Sequence, residues 1–298
     1  MSPELRHLRY FVAVADQLSF SGAARQLVIT QQSLSQQINA LERMLGVRLF
    51  DRDTRGTRLT GVGEVFLPEA RAVLARADEA VATVRRAARG EVGRLAVAFL
   101  SSTANFLLPP VVRAFRERYP EVELIAEDTD VARLVAGLRE GRYDAAFTRP
   151  PLVPDLAAQT VVVERACAVL PQEHRLAARA ELTLADLADE PWVLTEPSSW
   201  PLWHERFAQD FRDAGFEPNV VQRASGVQNL LGLVAAGVGV TRLTESAQTL
   251  RRGGVVFVPL TGEKAYTDLV WLVDSPLVAN LRALVRELAA TTDLTRYG

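Results

Sequence analysis

The most regular pattern of apolar and polar positions in the chain lies between Thr30 and Gly46. Four apolar residues recur there at spacings of four, three and four, namely Leu34, Ile38, Leu41 and Leu45. This spacing is typical of one face of an α-helix. Polar residues with the same spacing occupy the opposite face: Gln32, Gln36, Asn39 and Arg43. The pattern predicts a helix with one buried and one outward face, for which Thr30 is a suitable N-cap and Gly46 a suitable C-terminal stop.

The outward face of this predicted helix consists mostly of amide side chains. An amide can donate and accept hydrogen bonds side by side, as the reading of base edges in a DNA major groove requires. The preceding segment, Phe20–Leu27, predicts a short helix, and an apolar turn at Val28 and Ile29 joins the two helices. The stretch therefore predicts a helix-turn-helix whose second helix enters the groove. The alternative is a small helical subdomain that binds protein.

The segment that follows predicts two short strands around a turn at Arg55 and Gly56. Arginines on such a hairpin suit contacts with phosphate groups, as a wing beside the groove, although they are also compatible with simple solvation. The candidate DNA contacts from both elements are Thr30, Gln31, Gln32, Ser33, Ser35, Gln36, Asn39, Arg52, Arg55 and Arg58.

Five motifs in this region carry a resemblance to a known family: LRYFVAVAD, SFSGAARQL, QQSLSQQI, LERMLGVRLFDR and RLTGVGEVFL. They resemble the DNA-binding domain of LysR-type transcriptional regulators. The resemblance is dense from Leu5 to about Leu67 and continues more loosely to the C-terminus. Family members usually have Pro at the position of Gln32 and commonly Arg at that of Gln36. Both positions face the groove, so the resemblance does not imply a particular operator sequence.

Residues 61–89 predict one long helix with an apolar stripe made of Val62, Val65, Phe66, Val73, Ala77, Val81 and Val84. Its length is roughly 40 Å at a rise of about 1.5 Å per residue, more than one small domain can cover. An exposed stripe of this kind normally pairs with another helix. We expect an antiparallel pairing with a second copy of the chain, which is the role of the linker helix in LysR-type regulators. The alternative is a helix packed only on its own domain.

After a hinge at residues 89–93, short apolar strands alternate with amphipathic helices. The predicted strands are Leu95–Phe99, Val122–Ala126, Ala145–Phe147, Cys167–Leu170, Trp192–Leu194, Val220–Gln222, Val238–Thr241, Val255–Pro259 and Leu269–Val273. The predicted helices are Leu107–Tyr119, Val131–Glu140, Leu202–Ala214, Val227–Ala236 and Leu277–Ala290. This alternation is typical of α/β folds with largely parallel sheets.

A body of this size is expected to form two lobes, and the family resemblance implies the architecture of periplasmic solute-binding proteins. The fold class is therefore α/β, with an N-terminal winged helix-turn-helix, a long linker helix and a two-lobed effector domain. The expected boundaries are 1–60 for the DNA-binding domain, 61–89 for the linker and dimerisation helix, and 90–298 for the effector domain. Within the effector domain we expect lobe I at 91–160 and 267–298, and lobe II at 161–266.

The cleft between the lobes is the expected effector site, because ligands of open α/β sheets bind at the carboxyl ends of the strands. Hydroxyl groups at the start of a predicted helix suit an anion. Together with the positions implied by the resemblance, the candidate effector contacts are Ser101, Ser102, Thr129, Arg149, Pro201, Trp203, Val227 and Gln228. Each residue taken alone is equally compatible with packing or capping at a strand end.

We expect the effector to be a small organic anion, and specifically a carboxylate, with tryptophan rings available for an aromatic group. Arg149 follows a predicted strand and can hold a carboxylate through two hydrogen bonds. The competing interpretation is that Arg149 pairs with an acidic residue such as Glu196 or Asp128. The cleft would then be neutral.

Charge is distributed unevenly along the 298 residues, whose formal net charge is −2. Residues 1–90 hold 13 basic and 9 acidic residues, and the remainder holds 21 basic and 27 acidic ones. A basic head on an acidic body fits a nucleic-acid contact at one end. We expect a cytoplasmic protein without a membrane segment, because the N-terminal sequence lacks the apolar core of a signal peptide. The single cysteine, Cys167, excludes an internal disulfide and is expected to be a buried thiol.

No sequence pattern indicates an enzyme, a metal site or a cofactor site. Dinucleotide and phosphate-binding glycine loops, a nucleophile elbow and a zinc-helix motif are all missing from the sequence, and the three histidines lie far apart. The favoured interpretation is a DNA-binding regulator controlled by a small-molecule effector. Its expected partners are double-stranded operator DNA and further copies of the chain, with RNA polymerase as a further candidate. The copies are expected to form a dimer and, as the resemblance implies, a tetramer. The alternative is an α/β solute-binding or enzymatic protein with an accessory helical domain.

Overall fold

The computed structural model describes residues 2–53 and 56–294. Arg55, one of the predicted DNA contacts, lies outside the described residues. The chain separates into two compact units, Met1–Arg86 and Ala87–Gly298, which are described in turn.

The first unit consists of helices and one hairpin. Its elements are α1 (Leu5–Gln17), α2 (Phe20–Gln26), α3 (Gln31–Leu45), β1 (Phe50–Asp53), β2 (Gly56–Leu59) and α4 (Gly61–Ala88). The predicted ends of α3 are confirmed, since the Thr30 hydroxyl accepts a hydrogen bond from the Ser33 amide and Gly46 adopts a positive φ of 72°. The strands β1 and β2 pair antiparallel, so a winged helix-turn-helix is observed.

The core of this unit is built from the apolar faces of α1, α2 and α3. Leu34, Ile38 and Leu41 are fully buried. The rings of Phe11 and Phe50 lie 5.3 Å apart and connect α1 to the hairpin. Burial of these side chains provides most of the stabilisation that fixes how α3 is turned.

Helix α4 is continuous across Pro68 and runs for 28 residues. Its first half packs on the core of the first unit through Phe66, Leu67, Ala70 and Leu74. Most of the predicted apolar stripe is exposed, however, with Val65 at 72% and Val84 at 70% of full exposure. The predicted long helix is therefore confirmed, and the valines of its stripe lack cover within the described chain.

The second unit is an α/β fold. Its strands are β3 (Gly93–Leu100), β4 (Val122–Thr129), β5 (Ala145–Thr148), β6 (Ala157–Pro171), β7 (Pro191–Thr195), β8 (Asn219–Ala224), β9 (Thr241–Thr244) and β10 (Val255–Trp271). Its helices are α5 (Ser101–Arg118), α6 (Val131–Arg139), α7 (Pro201–Asp213), α8 (Val227–Ala235) and α9 (Pro276–Thr291), with 3-10 turns at Leu184–Leu187, Pro197–Ser199 and Glu245–Leu250.

The sheet pairing differs from the prediction of largely parallel sheets. A six-stranded sheet has the order β4-β3-β5-β10-β6-β9, and β7 pairs with β8 in a separate sheet. Strand β3 is parallel to β4 and β5, and β7 is parallel to β8. The pairings of β10 with β5 and β6, and of β6 with β9, are antiparallel. The sheet is mixed rather than parallel because β6 and β10 run side by side in opposite directions, whereas parallel neighbours are usually joined by a helical crossover.

Three predicted strand ranges were wrong for a related reason. The predicted strands Val255–Pro259 and Leu269–Val273 belong to one continuous strand, β10, and Cys167–Leu170 is only the last part of β6. Glu164 and Arg165 interrupt the apolar pattern of β6, and residues 261–264 of β10 are polar or glycine, so apolar runs do not reveal the full length of either strand. Strand β9 begins at Thr241 rather than Val238, and α5 begins at Ser101 because β3 leads into it without a loop.

Strands β6 and β10 run through two lobes with separate cores. The first lobe contains β3, β4, β5, α5, α6 and α9, and its core includes the stacked rings of Phe99 and Phe147, 4.8 Å apart. The second lobe contains β7, β8, β9, α7 and α8, and its core includes Trp192 and Phe211. Within the described part of the chain, every helix is too short or too polar to cross a lipid bilayer.

Candidate functional sites

The outward face of α3 is set by the burial of its opposite face. Gln32, Gln36 and Asn39 are exposed, as the spacing predicts. Among the described residues, neither the Gln32 side chain nor the Gln36 side chain has a hydrogen-bond partner, so both side-chain amides are available to an external group. Gln31 differs, because its side-chain amide oxygen accepts a hydrogen bond of 3.0 Å from the Ser21 hydroxyl.

The remaining predicted positions on α3 contribute more to the helix itself. Thr30 caps the helix at Ser33, and Ser33 and Ser35 are half-buried. They lie on the same side as the amides but are less accessible. The structure thus groups the predicted DNA contacts on α3, and it leaves the side-chain amides of Gln32 and Gln36 without a hydrogen-bond partner among the described residues.

The hairpin is held against α3 by contacts that sequence reasoning missed. The Glu42 carboxylate accepts hydrogen bonds from the amides of Leu49 and Phe50, at 2.7 and 3.1 Å. The Arg52 guanidinium donates to the side-chain amide oxygen of Asn39 at 3.3 Å, and its carbon lies 3.9 Å from the centre of the Phe20 ring. Burial lowers the pKa of Arg52, and the nearby Glu42 carboxylate opposes that shift.

Arg52 is therefore positioned by its own unit, whereas Arg58 on β2 is exposed. The Arg52 guanidinium is thus held beside Asn39 by the Phe20 ring. Arg58 keeps the freedom of a solvated arginine that meets a phosphate.

A cavity of about 760 Å³ opens between the two lobes of the second unit. Six predicted effector contacts line it: Ser101, Ser102, Thr129, Arg149, Trp203 and Val227. They come from the ends of β3, β4 and β5 in the first lobe and from the starts of α7 and α8 in the second. The strand-end rule thus located one part of the cavity wall.

Two predicted contacts, Pro201 and Gln228, do not line this cavity. Pro201 is the first residue of α7 and faces a smaller cavity on the other side of that helix, beside His204. Gln228 is exposed, because Val227 and Leu230 are the residues of α8 that face inward. In both cases the helix was predicted correctly, and the error lies in which side of its first turn faces the cleft.

The guanidinium of Arg149 is not free, contrary to the expectation that it would hold a carboxylate. Both of its terminal nitrogens lie 3.2 Å from one carboxylate oxygen of Glu164, and the two side chains are 9% and 1% exposed. Burial lowers the pKa of Arg149, and the charge of Glu164 opposes that shift. The competing interpretation, in which an acidic residue pairs with Arg149, is correct in kind, but the partner is neither Glu196 nor Asp128.

The pair is completed by residues at the end of β9. Arg149 also donates to the Thr244 hydroxyl at 3.0 Å, and the second oxygen of Glu164 accepts from the Ser246 amide at 2.6 Å. A buried ion pair with this many hydrogen bonds is satisfied internally. Glu164 escaped sequence reasoning because it lies in the unrecognised middle of β6.

Aromatic side chains cover one wall of the cavity. The rings of Trp203 and Phe207 stack with centres 4.4 Å apart, and those of Trp200 and Trp203 lie 5.8 Å apart. The Trp200 indole donates to the Pro151 carbonyl oxygen at 3.2 Å, which joins the start of α7 to the first lobe. The two tryptophans were predicted to offer a flat apolar surface, and Phe207 is an addition from the structure.

A charged group on the second lobe was also missed. Arg242 forms ion pairs with Asp210 at 2.6 Å and with Glu263 at 3.1 Å, and its guanidinium carbon lies 4.1 Å from the centre of the Phe207 ring. Arg206 pairs with the same Asp210 at 3.2 Å. Arg242, Asp210 and Glu263 come from β9, α7 and β10, so their proximity has no local signal in the sequence. Arg206 and Asp210, in contrast, lie four residues apart on α7.

Neither the cysteine nor the histidines form a reactive or metal-binding group. Cys167 is buried on β6, as predicted, and burial raises the pKa of its thiol to about 12. His204 lies 3.0 Å from the Thr195 hydroxyl, and burial together with the charge of Arg223 lowers the pKa of its ring. Within residues 2–53 and 56–294, no three His, Cys, Asp or Glu side chains are grouped to hold a metal ion.

Two family matches cover nearly the whole chain. Residues 5–64 match the family described as a bacterial regulatory helix-turn-helix protein of the lysR family, and residues 88–293 match the LysR substrate binding domain. The chain belongs to the LysR family of transcriptional regulators. It is a DNA-binding regulator with a substrate-binding domain, and its relatives are regulators rather than enzymes.

Individual LysR-family proteins agree with this assignment over most of their length. The chain is 39% identical over 248 residues to the regulator AlsR of Bacillus subtilis, which covers 83% of this chain and 82% of AlsR. It is 38% identical over 266 residues to the Hca operon transcriptional activator HcaR of Escherichia coli, covering 87% and 88%. The structure of full-length CbnR in complex with its target DNA is similar, with a TM-score of 0.76, 28% identity and coverage of 96% and 100%.

Proposed function

We propose that this LysR-family regulator reads a two-fold related DNA operator with α3, and that a small organic anion bound between the lobes of its second unit modulates operator binding or bending. The observation that carries the effector proposal is the cavity of about 760 Å³, which is lined from both lobes. A volume of this size suits a small molecule that is largely enclosed. A ligand that contacts both lobes changes the balance between their relative positions only if it binds one arrangement more tightly.

The proposed DNA contacts are those expected from the sequence: Thr30, Gln31, Gln32, Ser33, Ser35, Gln36, Asn39, Arg52, Arg55 and Arg58. Gln32 and Gln36 are assigned to base reading, since their exposed amides have no partner among the described residues. The arginines are assigned to the phosphate backbone, where they fix the position of the protein without reading sequence.

The valines exposed on α4 support a homodimer as the unit that binds DNA. An apolar stripe along a helix of 28 residues is stabilised when a second copy covers it. We assign residues 1–60 to the DNA-binding domain, 61–89 to the linker helix and 90–298 to the effector domain. Two such dimers would form a tetramer on adjacent half-sites, with RNA polymerase as the partner that senses the resulting DNA bend.

The proposed effector surface keeps the six predicted residues that line the cavity and leaves out Pro201 and Gln228. The rings of Trp203 and Phe207 provide an apolar wall for a ring or alkyl group. Ser101 and Ser102 begin α5, whose N-terminus favours negative charge. Thr129 and Val227 complete the wall on opposite lobes.

Thermal denaturation of the full chain with a panel of carboxylates tests this function. Benzoate, salicylate, succinate and phthalate are each compared with the corresponding uncharged amide. A specific ligand at 100 times its Kd stabilises the folded state by about 2.7 kcal/mol. We expect at least one carboxylate, and none of the amides, to raise the melting temperature. Stabilisation by sugars or cations alone, or by none of the carboxylates, would contradict an organic-anion effector.

A further inference from the structure

Each of the arginines that line the cavity has a carboxylate within ion-pair distance. Arg149 pairs with Glu164, Arg206 pairs with Asp210, and Arg242 pairs with both Asp210 and Glu263. An anion that recruited one of them would have to compete with a carboxylate already in place. These arginines therefore do not supply the uncompensated positive charge that an organic anion needs.

One further cation lines the same cavity, on β10. It is Lys264, whose side chain is exposed. Among the residues that the structure describes, no carboxylate forms an ion pair with its ammonium. An exposed ammonium in a partly enclosed cavity acts more strongly on an anion than the same group on an open surface, because the surrounding protein reduces solvent screening.

The regular pairing of β10 with β6 is interrupted directly before Lys264. The pairing of β10 with β6 is interrupted by a bulge between Pro259 and Lys264, and Gly262 within it has a positive φ of 76°. Regular pairing resumes at Lys264, opposite Arg165. Lys264 and Tyr266 line the cavity, as do their neighbours Gly262, Glu263 and Ala265 on the same segment.

The position of Lys264 also connects the cavity to the link between the lobes. Strands β6 and β10 are the elements that run through both lobes, and Lys264 lies in the middle of β10. An anion held there contacts the connection itself. A ligand that also contacted Ser102 would link the middle of β10 to the first lobe, and one that contacted Trp203 would link it to the second lobe.

The composition of the chain singles out the same residue. Lysine and arginine together number 34, and Lys264 is the only lysine. The other basic positions, including those in ion pairs and on the DNA-binding unit, are arginines. An ammonium is a compact charge with three rotatable donors, whereas a guanidinium is a planar fork that suits a fixed pair. The one lysine thus stands where the cavity has a cation without a partner.

We propose that Lys264 is the charged contact of the effector and that its ammonium, rather than the Arg149 guanidinium, binds the anionic group. The proposal rests on the proposed function, in which the cavity binds an organic anion. It assigns Arg149 a structural role and assigns the recognition of negative charge to β10. The tryptophan wall holds the apolar part of the same ligand.

The single lysine allows a direct spectroscopic test in the full chain. Reductive methylation with 13C-formaldehyde labels only the Lys264 amine and the N-terminal amine, and a dimethylated lysine keeps its positive charge. The probes are benzoate, salicylate, succinate and phthalate, each with its amide as the uncharged control. We expect the carboxylate that stabilises the chain to shift the Lys264 methyl resonance, while the N-terminal resonance stays unchanged.

Matched variants provide the second measurement. Lys264→Gln is expected to weaken binding of that carboxylate at least tenfold by calorimetry, and Lys264→Arg to retain most of the affinity because it keeps the charge. Arg206→Gln removes a cation of the same cavity that is already paired, and it should change the affinity less than twofold. The melting temperature without ligand should be the same for Lys264→Gln and the unchanged chain, because Lys264 is exposed.

The outcomes separate this inference from the proposed function. If a carboxylate stabilises the chain but leaves the Lys264 resonance unmoved and binds Lys264→Gln with undiminished affinity, the assignment of Lys264 is overturned and the anion effector stands. If none of the carboxylates stabilises the chain, the anion effector is overturned, and the role of Lys264 falls with it.

Discussion

The outward face of α3 and the cavity between the lobes of the second unit both carry polar side chains, and these differ in whether they are paired within the chain. On α3, the amides of Gln32 and Gln36 have no partner among the described residues. In the cavity, Arg149 and Arg242 are held by carboxylates at 2.6 to 3.2 Å. The two amides of α3 are left to solvent, whereas the two guanidinium groups of the cavity are satisfied internally.

The difference follows from solvent access. Exposed amides on α3 are hydrogen-bonded to water until DNA replaces it, so the isolated chain loses nothing by leaving them unpaired. A buried guanidinium has no such alternative and is costly unless an acidic group neutralises it. A surface that binds a large partner can therefore carry exposed polar side chains without partners in the same chain. Buried charged side chains of a cavity need partners within the protein. Lys264 is exposed, so its ammonium can stay hydrated without a carboxylate partner among the described residues.

The largest expected effect concerns the buried pair. Arg149→Met leaves the Glu164 carboxylate buried without its partner, and we expect the free energy of unfolding to fall by about 3–5 kcal/mol. Guanidinium unfolding followed by tryptophan fluorescence measures this, since all four tryptophans lie in the second unit.

Arg118→Met is the matched control for this prediction, because it removes an exposed arginine that pairs with Glu287. Its unfolding curve should stay close to that of the unchanged chain. The double variant Arg149→Met with Glu164→Gln should recover part of the lost stability. Equal curves for Arg149→Met and Arg118→Met would show that the cavity does not depend on internal pairing.

The second effect concerns the packing that orients α3 and the hairpin. A Cβ on Gly63 would overlap the Leu49 carbonyl oxygen of the backbone, so Gly63→Ala should destabilise the first unit by about 1–3 kcal/mol. Gly61→Ala, two residues earlier, meets no atom within 4 Å and should leave stability unchanged or slightly higher. Hydrogen exchange of the amides of α1 to α3 distinguishes the two, and similar protection in both variants would argue against this packing.

The third effect concerns base reading. Gln32→Ala or Gln36→Ala should weaken binding to an operator selected from random DNA by about 1–3 kcal/mol for whichever amide reads a base pair. Binding to random DNA should change little, because the phosphate contacts remain. Gln172→Ala, an exposed glutamine of the second unit, is the control. Fluorescence anisotropy measures both, and an equal loss on operator and random DNA would rule out base reading by these amides.

The smallest effect concerns the phosphate contacts. Arg58→Gln should weaken binding to operator and random DNA alike and reduce the slope of log affinity against log salt by about 0.9 if one phosphate contact is lost. Arg94→Gln removes an exposed arginine of the second unit and should leave the slope unchanged. A salt titration of each variant separates them. An unaltered slope for Arg58→Gln would remove the hairpin from the DNA contact.

The first unit was largely predictable because its signals are local. The spacing of Leu34, Ile38 and Leu41 fixed the buried face of α3 and hence the outward position of Gln32 and Gln36. The cap at Thr30 and the stop at Gly46 fixed its ends. The role of Glu42 was not visible, because a carboxylate that accepts two backbone amides of the next segment looks like any other helical glutamate.

The second unit was predictable in its order of elements but not in its pairing. The sequence determined that this is an α/β unit with a cavity at strand ends, and it placed Ser102, Arg149 and Trp203 on the wall of that cavity. Only the tertiary structure decided that β6 and β10 are long antiparallel strands and that Arg149 is neutralised by Glu164. The physical reason is that helix faces are set by neighbours three or four residues apart, whereas the ionic partners of a cavity are brought together by strand register and lie far apart in the chain.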